Sequence, residues 1–201
     1  MMYKYVSFFG SIGVGKTTAG RKIEALDADF QFVAEDLSEN PYIEKAYEEL
    51  HGDWGFLSSL EMLRMMSCQF DKFDDSCKIG ILDNGIQELV CYARLQEKLG
   101  IISFDQLSTL ERLNRRFLEL TPEVSLHVYF YCNEDIQLKR ISARGRSFEN
   151  EIDKKFIRSL NLEYEKYVST LPKEKLLTVC TDNWTDYSDL ANLIKKSLKV
   201  E

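Results

Sequence analysis

The chain has 201 residues, 44% hydrophobic and 29% charged, which suits one domain with a well-buried core and excludes a disordered polypeptide. With 26 basic against 33 acidic residues and a net charge of −7, its surface as a whole repels polynucleotides and anionic membranes, so no nucleic-acid or membrane partner is expected. No stretch reaches the roughly 18 apolar residues of a membrane span, and the opening MMYKYVSFFG enters an apolar segment without a signal-peptide cleavage pattern, which predicts a cytoplasmic location. The five cysteines form no CxxC pair and the two histidines cannot complete a zinc set. The cysteines are read as reduced core thiols without a structural metal.

In chain order, short apolar, β-branched and aromatic runs at residues 3–9, 30–34, 79–82, 124–131 and 176–179 are predicted as five strands. Longer stretches of helical periodicity separate them. This alternation predicts an α/β fold of three layers: a five-stranded parallel sheet with helices on both faces and a ligand crevice at the carboxyl ends of the strands. Pro41 stands where a helix should begin and Pro122 where a helix gives way to a strand. No linker, repeat or low-complexity tract divides the chain, so residues 1–201 are expected to form a single domain. Met62, Met65 and Met66 fit the packed face of a helix over residues 56–70. His51 has no partner at catalytic spacing and His127 falls within the fourth strand, so both are read as structural or solvent-facing.

The chemistry is carried first by Gly10-Ser11-Ile12-Gly13-Val14-Gly15-Lys16-Thr17, a full match to GxxxxGK[ST] between a strand and a helix-compatible run that begins at Thr18. The glycines let successive amide N–H groups converge on phosphate oxygens, and the positive end of the following helix adds to that field. Lys16 neutralises β- and γ-phosphate charge. Thr17 offers a hydroxyl to Mg2+ bridging the phosphates of ATP.

Beyond this loop the chain resembles the deoxynucleoside kinase family, whose members move the γ-phosphate of ATP to the 5′-hydroxyl of a deoxynucleoside, and the resemblance extends over nearly the whole length. Val33-Ala34-Glu35-Asp36, followed by Asn40-Pro41-Tyr42, matches the family's strand-end glutamate, which makes Glu35 the candidate general base and Asp36 a helix-capping bystander. Arg140-Ile-Ser-Ala-Arg144-Gly-Arg146-Ser-Phe-Glu149 resembles the LID that closes over the phosphates. Arginine forks there bind phosphate oxygens in pairs, and Gly145 supplies the freedom a closing segment needs. The resemblance implies that Arg144 and Arg146 act on the transferring group, that Arg140 contacts nucleotide, and that Glu149 accepts from the sugar 3′-hydroxyl; Glu149 pairing with an arginine is the other reading. Residues 154–167 resemble the helix after the LID, with Leu160, Tyr164 and Tyr167 read as packing. The adenine is expected between the LID side and Thr181-Asp182-Asn183. The resemblance also implies a homodimer through the helices over residues 56–76 and 86–100.

The chain departs from the family where the base and the catalytic carboxylate are held. The family's acidic-Arg-Ser/Thr triplet is Asp83-Asn84-Gly85 here, so a neutral side chain replaces the arginine, while Asp83 remains available to a metal-bound water. Ser59 stands in place of a base-reading glutamine, and Leu89 in place of an aspartate that many members use. Tyr47 is expected to face the sugar. Trp54 and Phe56 either line the acceptor pocket or fill the core. A kinase acting on a nucleoside-like small molecule is the expected function. The altered readers leave open another acceptor, such as a nucleotide or modified nucleoside, and the loss of the arginine leaves open a protein that binds nucleotide without turnover.

Overall fold

The computed structural model describes residues 4–49, 52–74, 76–183 and 186–200. Its sheet consists of β1 (Lys4–Phe9), β2 (Phe30–Val33), β3 (Ile79–Asp83), β4 (Leu126–Tyr131) and β5 (Leu176–Cys180), in the order β2-β3-β1-β4-β5, and every pairing is parallel. Each predicted strand is present, with ends shifted by one or two residues. Tyr3 and His51 lie outside the described residues.

The register sets the site. Phe8 of β1 aligns with Asp83 of β3, and Val33 of β2 with Leu82, so the three strands end together and release the phosphate loop, Glu35 and Asn84 at the carboxyl end of the sheet. Ligands of open parallel sheets lie outside the carboxyl ends, where neighbouring strands send their connections to opposite faces.

One face of the sheet is covered by α1 (Lys16–Leu26) and α8 (Tyr187–Leu198). Phe8, Ile79 and Val128 pack there on Ala19 and Ile23 of α1 and on Leu190 and Ile194 of α8. The opposite face carries Phe9 and Tyr129 against Cys91 and Leu95 of α4 (Leu89–Lys98) and Leu160 and Tyr164 of α7 (Lys154–Val168). The remaining helices are α2 (Ile43–Glu48), α3 (Trp54–Cys68), α5 (Phe104–Leu118) and α6 (Glu134–Arg144). Met62, Met65 and Met66 of α3 pack with Ile86 and Leu89, as their spacing predicts.

Asp36 accepts from Ser38 N at 3.0 Å and caps the 3-10 turn Leu37–Glu39, the bystander role expected of it. His127 is buried edge-on against Phe9, and burial pushes its pKa down to about 4, so it is a neutral structural ring. The cysteines correct an expectation. All are free, but only Cys91 is buried; Cys68 ends α3 on its outer side and Cys180 ends the edge strand β5, and both are exposed.

Gly20 of α1 faces Phe32 of β2, and a methyl at that position would overlap three carbons of the ring. Alanine is favoured over glycine in a helix by about 1 kcal/mol, whereas overpacking a core costs about 1–3 kcal/mol. The Phe32 ring is only 8% exposed and has little room to retreat. Gly20→Ala is therefore expected to lower stability, read as a reduced denaturation midpoint in guanidinium at unchanged slope.

Candidate active site

The phosphate loop owes its curl to three glycines in the left-handed half of the backbone map: Gly10 (φ 138), Gly13 (φ 78) and Gly15 (φ 94). A Cβ on Gly10 would overlap the carbonyl of Phe130, so strand β4 excludes any other residue there. Gln137 of α6, fully buried, donates to the Ile12 carbonyl at 2.8 Å and accepts from Asn161 of α7 at 2.9 Å. On the far side, Thr181 donates to the Val14 carbonyl at 2.7 Å. The loop is thus held from α6, α7 and the end of β5.

Lys16 opens α1 with its ammonium donating to Gly10 O at 2.7 Å and Ser11 O at 3.1 Å. The surrounding burial lowers its pKa, partly offset by Asp83, Glu35 and Glu88. Thr17 donates a short hydrogen bond to Asp83 Oδ2, while Asp83 Oδ1 is buried without a hydrogen-bond partner among the described residues. Burial raises Asp83, and a cation beside it would relieve that cost. An oxygen pair of this kind, a hydroxyl and a carboxylate with a spare lone pair at a phosphate loop, suits a hard divalent ion such as Mg2+. Ser11 and Val14 differ: the Ser11 hydroxyl is buried without a partner among the described residues, and the Val14 side chain packs in the core.

Glu35 follows β2 directly and accepts from Asn84 Nδ2 at 3.1 Å. Burial pushes Glu35 up to about 7; Asp83 adds to the rise, while Lys16 and the Asn84 hydrogen bond oppose it. Asn84 adopts a left-handed backbone (φ 64), and its amide N–H donates to Phe8 O at 2.9 Å, which fixes the side chain over the ends of β1 and β3. Asn84 thus occupies the arginine's place beside the carboxylate as a hydrogen-bond donor without a charge.

Glu88 is a site residue that the sequence reading missed. It is 2% exposed, accepts from Ser7 Oγ at 2.6 Å and from the Gly85 backbone N–H, and burial pushes it up to about 8. The available signal was Ser7, a lone hydroxyl within the apolar run YVSFF that had to find a partner once buried.

Arg144, at the end of α6, forks onto Glu149 at 2.6 and 3.1 Å, and Arg146 reaches the same carboxylate at 3.3 Å. Gly145 between them caps the helix in the left-handed conformation (φ 68) with open space around its Cα. Glu149 is 4% exposed and pairs with both arginines, which takes up the second of the two readings given to it. Arg140 points elsewhere, donating to Thr181 O at 2.7 Å and Thr181 Oγ1 at 3.0 Å, and to Gly13 O at 3.3 Å. It joins the phosphate loop to the segment after β5, where the adenine was expected.

One cavity of about 1200 Å3 connects these groups. Lys16, Thr17, Thr18, Arg140 and Thr181 line its phosphate side, and Glu35, Asp83, Asn84, Arg144, Arg146 and Glu149 its middle. The far end is lined by Tyr47, Ser59 and Leu89 together with Met62, Tyr92 and Gln96. The Tyr47 hydroxyl forms a short hydrogen bond with the Tyr92 hydroxyl, and burial pushes Tyr47 up to about 12.

Trp54 is the exception among the predicted substrate-binding residues. It stacks on Tyr42 at 6.3 Å, carries the Lys45 ammonium 4.2 Å above its ring and donates to Glu49 at 2.9 Å. Starting α3 at its solvent end, it neither lines the cavity nor fills the core, which corrects both readings given to it. Phe56 takes the second of its two readings and packs against Ala93, Ile102 and Leu110.

Comparison with known proteins accords with this geometry. The family model "Deoxynucleoside kinase" matches residues 6–199. A deoxyguanosine kinase of Bacillus subtilis (strain 168) is 26% identical, with 96% of each chain covered, and a deoxyadenosine kinase of Dictyostelium discoideum is 22% identical, with 95% of this chain and 78% of that protein covered. Among solved structures, the deoxyadenosine kinase from M. mycoides with bound dCTP is similar at a TM-score of 0.78 and 24% identity, over 97% of this chain and 98% of that one. The same kinase with bound dATP gives a TM-score of 0.78 at 23% identity, over 98% and 100%. The five-stranded sheet, the phosphate loop and a family match that runs almost from end to end lead to one conclusion: the chain belongs to the deoxynucleoside kinase family.

Proposed function

We propose that the protein transfers the γ-phosphate of ATP to the 5′-hydroxyl of a nucleoside, with a deoxynucleoside as the favoured acceptor. The observation that carries this is the single cavity in which a phosphate loop, a strand-end carboxylate tuned to about 7 and a largely apolar acceptor end are continuous. The kinases named above act on deoxyguanosine or deoxyadenosine, which supports a nucleoside acceptor here.

In this mechanism the acceptor hydroxyl gives its proton to the Glu35 carboxylate as its oxygen bonds to the γ-phosphorus, and the bond from that phosphorus to the β–γ bridging oxygen breaks to leave ADP. A carboxylate near 7 is well matched to this work: about half of it is ionised at neutral pH, and it is basic enough to receive a proton. Asn84 keeps the reacting oxygen of Glu35 oriented. Lys16 exchanges its loop carbonyls for phosphate oxygens, and Arg144 and Arg146 turn from Glu149 to the transferring group as charge builds there. Glu149, so released, accepts from the sugar 3′-hydroxyl beside Tyr47. Mg2+, held through Thr17 and by Asp83 by way of water, would neutralise charge shared between the β- and γ-phosphates. The family resemblance extends the proposal to a homodimer that pairs through α3 and α4, and the sequence pattern to a cytoplasmic location.

Two outcomes test it. Incubation with ATP, Mg2+ and a panel of ribo- and deoxynucleosides and their monophosphates, read by mass spectrometry, is expected to yield a nucleoside monophosphate. Lys16→Ala should lower its rate by about 10²–10³, the loss typical of a preorganised charge at the transferring group. Wild-type protein that binds ATP but phosphorylates nothing in the panel would contradict the proposal.

The second outcome is a pH profile. As Glu35 must be ionised to accept the proton, kcat/KM for the nucleoside should fall tenfold per pH unit below about 7. Asn84→Arg sets a permanent cation beside the carboxylate, which favours its charged form and should move that acid limb to lower pH by about one unit or more. An acid limb that stays in place would show that Glu35 is not the base.

A further inference from the structure

At the acceptor end of the cavity stands an amide that has no place in the phosphate chemistry. Gln96 projects from α4, and its side chain is buried at 7% exposure. Its Oε1 accepts from the Ser59 hydroxyl of α3 at 3.0 Å, across 37 positions of sequence. Its Nε2 donates to none of the described residues, although it lines the cavity. Gln96 is thus a mostly buried residue on the cavity wall whose amide hydrogens are left for whatever fills the cavity, and a ligand that displaces water there without accepting from them leaves them unpaired.

The neighbouring packing is arranged around this group. Gly55, one turn before Ser59, lies against Gln96: a Cβ there would come 3.4 Å from Nε2 and 2.7 Å from the Ile101 side chain. A larger residue would push the amide off its seat. The groups around it are mostly apolar, with Met62, Leu89 and Ile101 lining the same end of the cavity. The Tyr47 and Tyr92 hydroxyls are engaged with each other and the Ser59 hydroxyl with Gln96 Oε1, so the Gln96 amide hydrogens are well placed to discriminate, since a ligand without a matching acceptor leaves them unpaired.

We propose that Gln96 reads the acceptor's base: its Nε2 donates to a ring nitrogen or carbonyl oxygen on the base edge, and Ser59 holds the amide in that orientation. Resting on the nucleoside-kinase function above, this moves the polar reader from the α3 position, where Ser59 stands, to a glutamine on α4 that faces it. Leu89 leaves the adjoining part of the base edge without a polar reader. The pocket therefore selects for one acceptor atom at one place on the base, and tolerates differences elsewhere.

The test uses wild type, Gln96→Met, which keeps length and volume but removes the donor, and Ser59→Ala, which releases the amide. Steady-state kinetics on the four common deoxynucleosides are followed by analogues of the best base in which each acceptor in turn is replaced by C–H. For wild type, one analogue should be at least tenfold poorer than its parent, and the others near it. In Gln96→Met the parent should fall to the level of that analogue, with KM for ATP unchanged within twofold and the thermal midpoint retained. Ser59→Ala should shift nucleoside KM in the same direction by a smaller factor. The proposal is overturned if Gln96→Met keeps the wild-type ranking of parent and analogues, even with a uniformly lower rate, because that pattern marks a packing role. Should Gln96→Met fail to fold, Ser59→Ala decides alone, and an unchanged discrimination between parent and analogue overturns the proposal. If wild type phosphorylates no nucleoside, the proposed function itself fails and this role of Gln96 falls with it; an active wild type indifferent to every acceptor replacement defeats this inference alone.

Discussion

Three carboxylates, Glu35, Asp83 and Glu88, converge on the ammonium of Lys16 at the carboxyl ends of the central strands, and burial raises all three while lowering the lysine. Charges taken out of water in this way are costly, and the Coulomb attraction within the group offsets only part of that cost. The rest of the site reduces it. Thr17 donates to Asp83, Ser7 and the Gly85 N–H to Glu88, and Asn84 to Glu35. Among the described residues the second oxygen of Asp83, the hydroxyl of Ser11 and the side-chain oxygen of Asn84 are left unmatched at this end of the sheet. Under the proposed function, phosphate oxygens would accept from the Ser11 hydroxyl and a divalent ion would meet the free oxygen of Asp83.

The substitution of Asn84 for the family's arginine acts on this cluster more than on its shape. The hydrogen bond to Glu35 is retained, and the strained left-handed backbone at Asn84 still aims the side chain over the strand ends. The positive charge is gone, and with it the force that would have held Glu35 ionised well below neutral pH. A stronger base that is ionised over a narrower pH range is the consequence. At the other end of the cavity a neutral pair, Ser59 and Gln96, face each other through one hydrogen bond.

Much of the fold was legible because its signals are local. The five strands, the alternation with helices and the phosphate loop follow from periodicity and from glycines that only certain backbone turns require. Glu35, Thr17, Asp83 and the LID arginines, which line one cavity, were legible as candidates because each sits at a fixed offset from a strand end or motif. The cavity residues that the sequence did not single out depend on contacts distant in sequence: Glu88 on Ser7 and Gln96 on Ser59, as does the loop support of Gln137 on Asn161. Trp54 was misread for the converse reason. Its local context suits a buried aromatic, but the start of α3 faces solvent, where Tyr42 and Lys45 cover the ring instead.

The claim on which this account stands is that burial, rather than any special partner, sets the base. Carbon-detected NMR titration of the glutamate side chains in the nucleotide-free protein measures it directly, with Glu35→Gln and Glu88→Gln to assign the signals. Midpoints near 7 for Glu35 and near 8 for Glu88 are the predicted result. If both titrate at the ordinary value of about 4.5, the crevice is wet and the carboxylate cluster is not the organising feature described here.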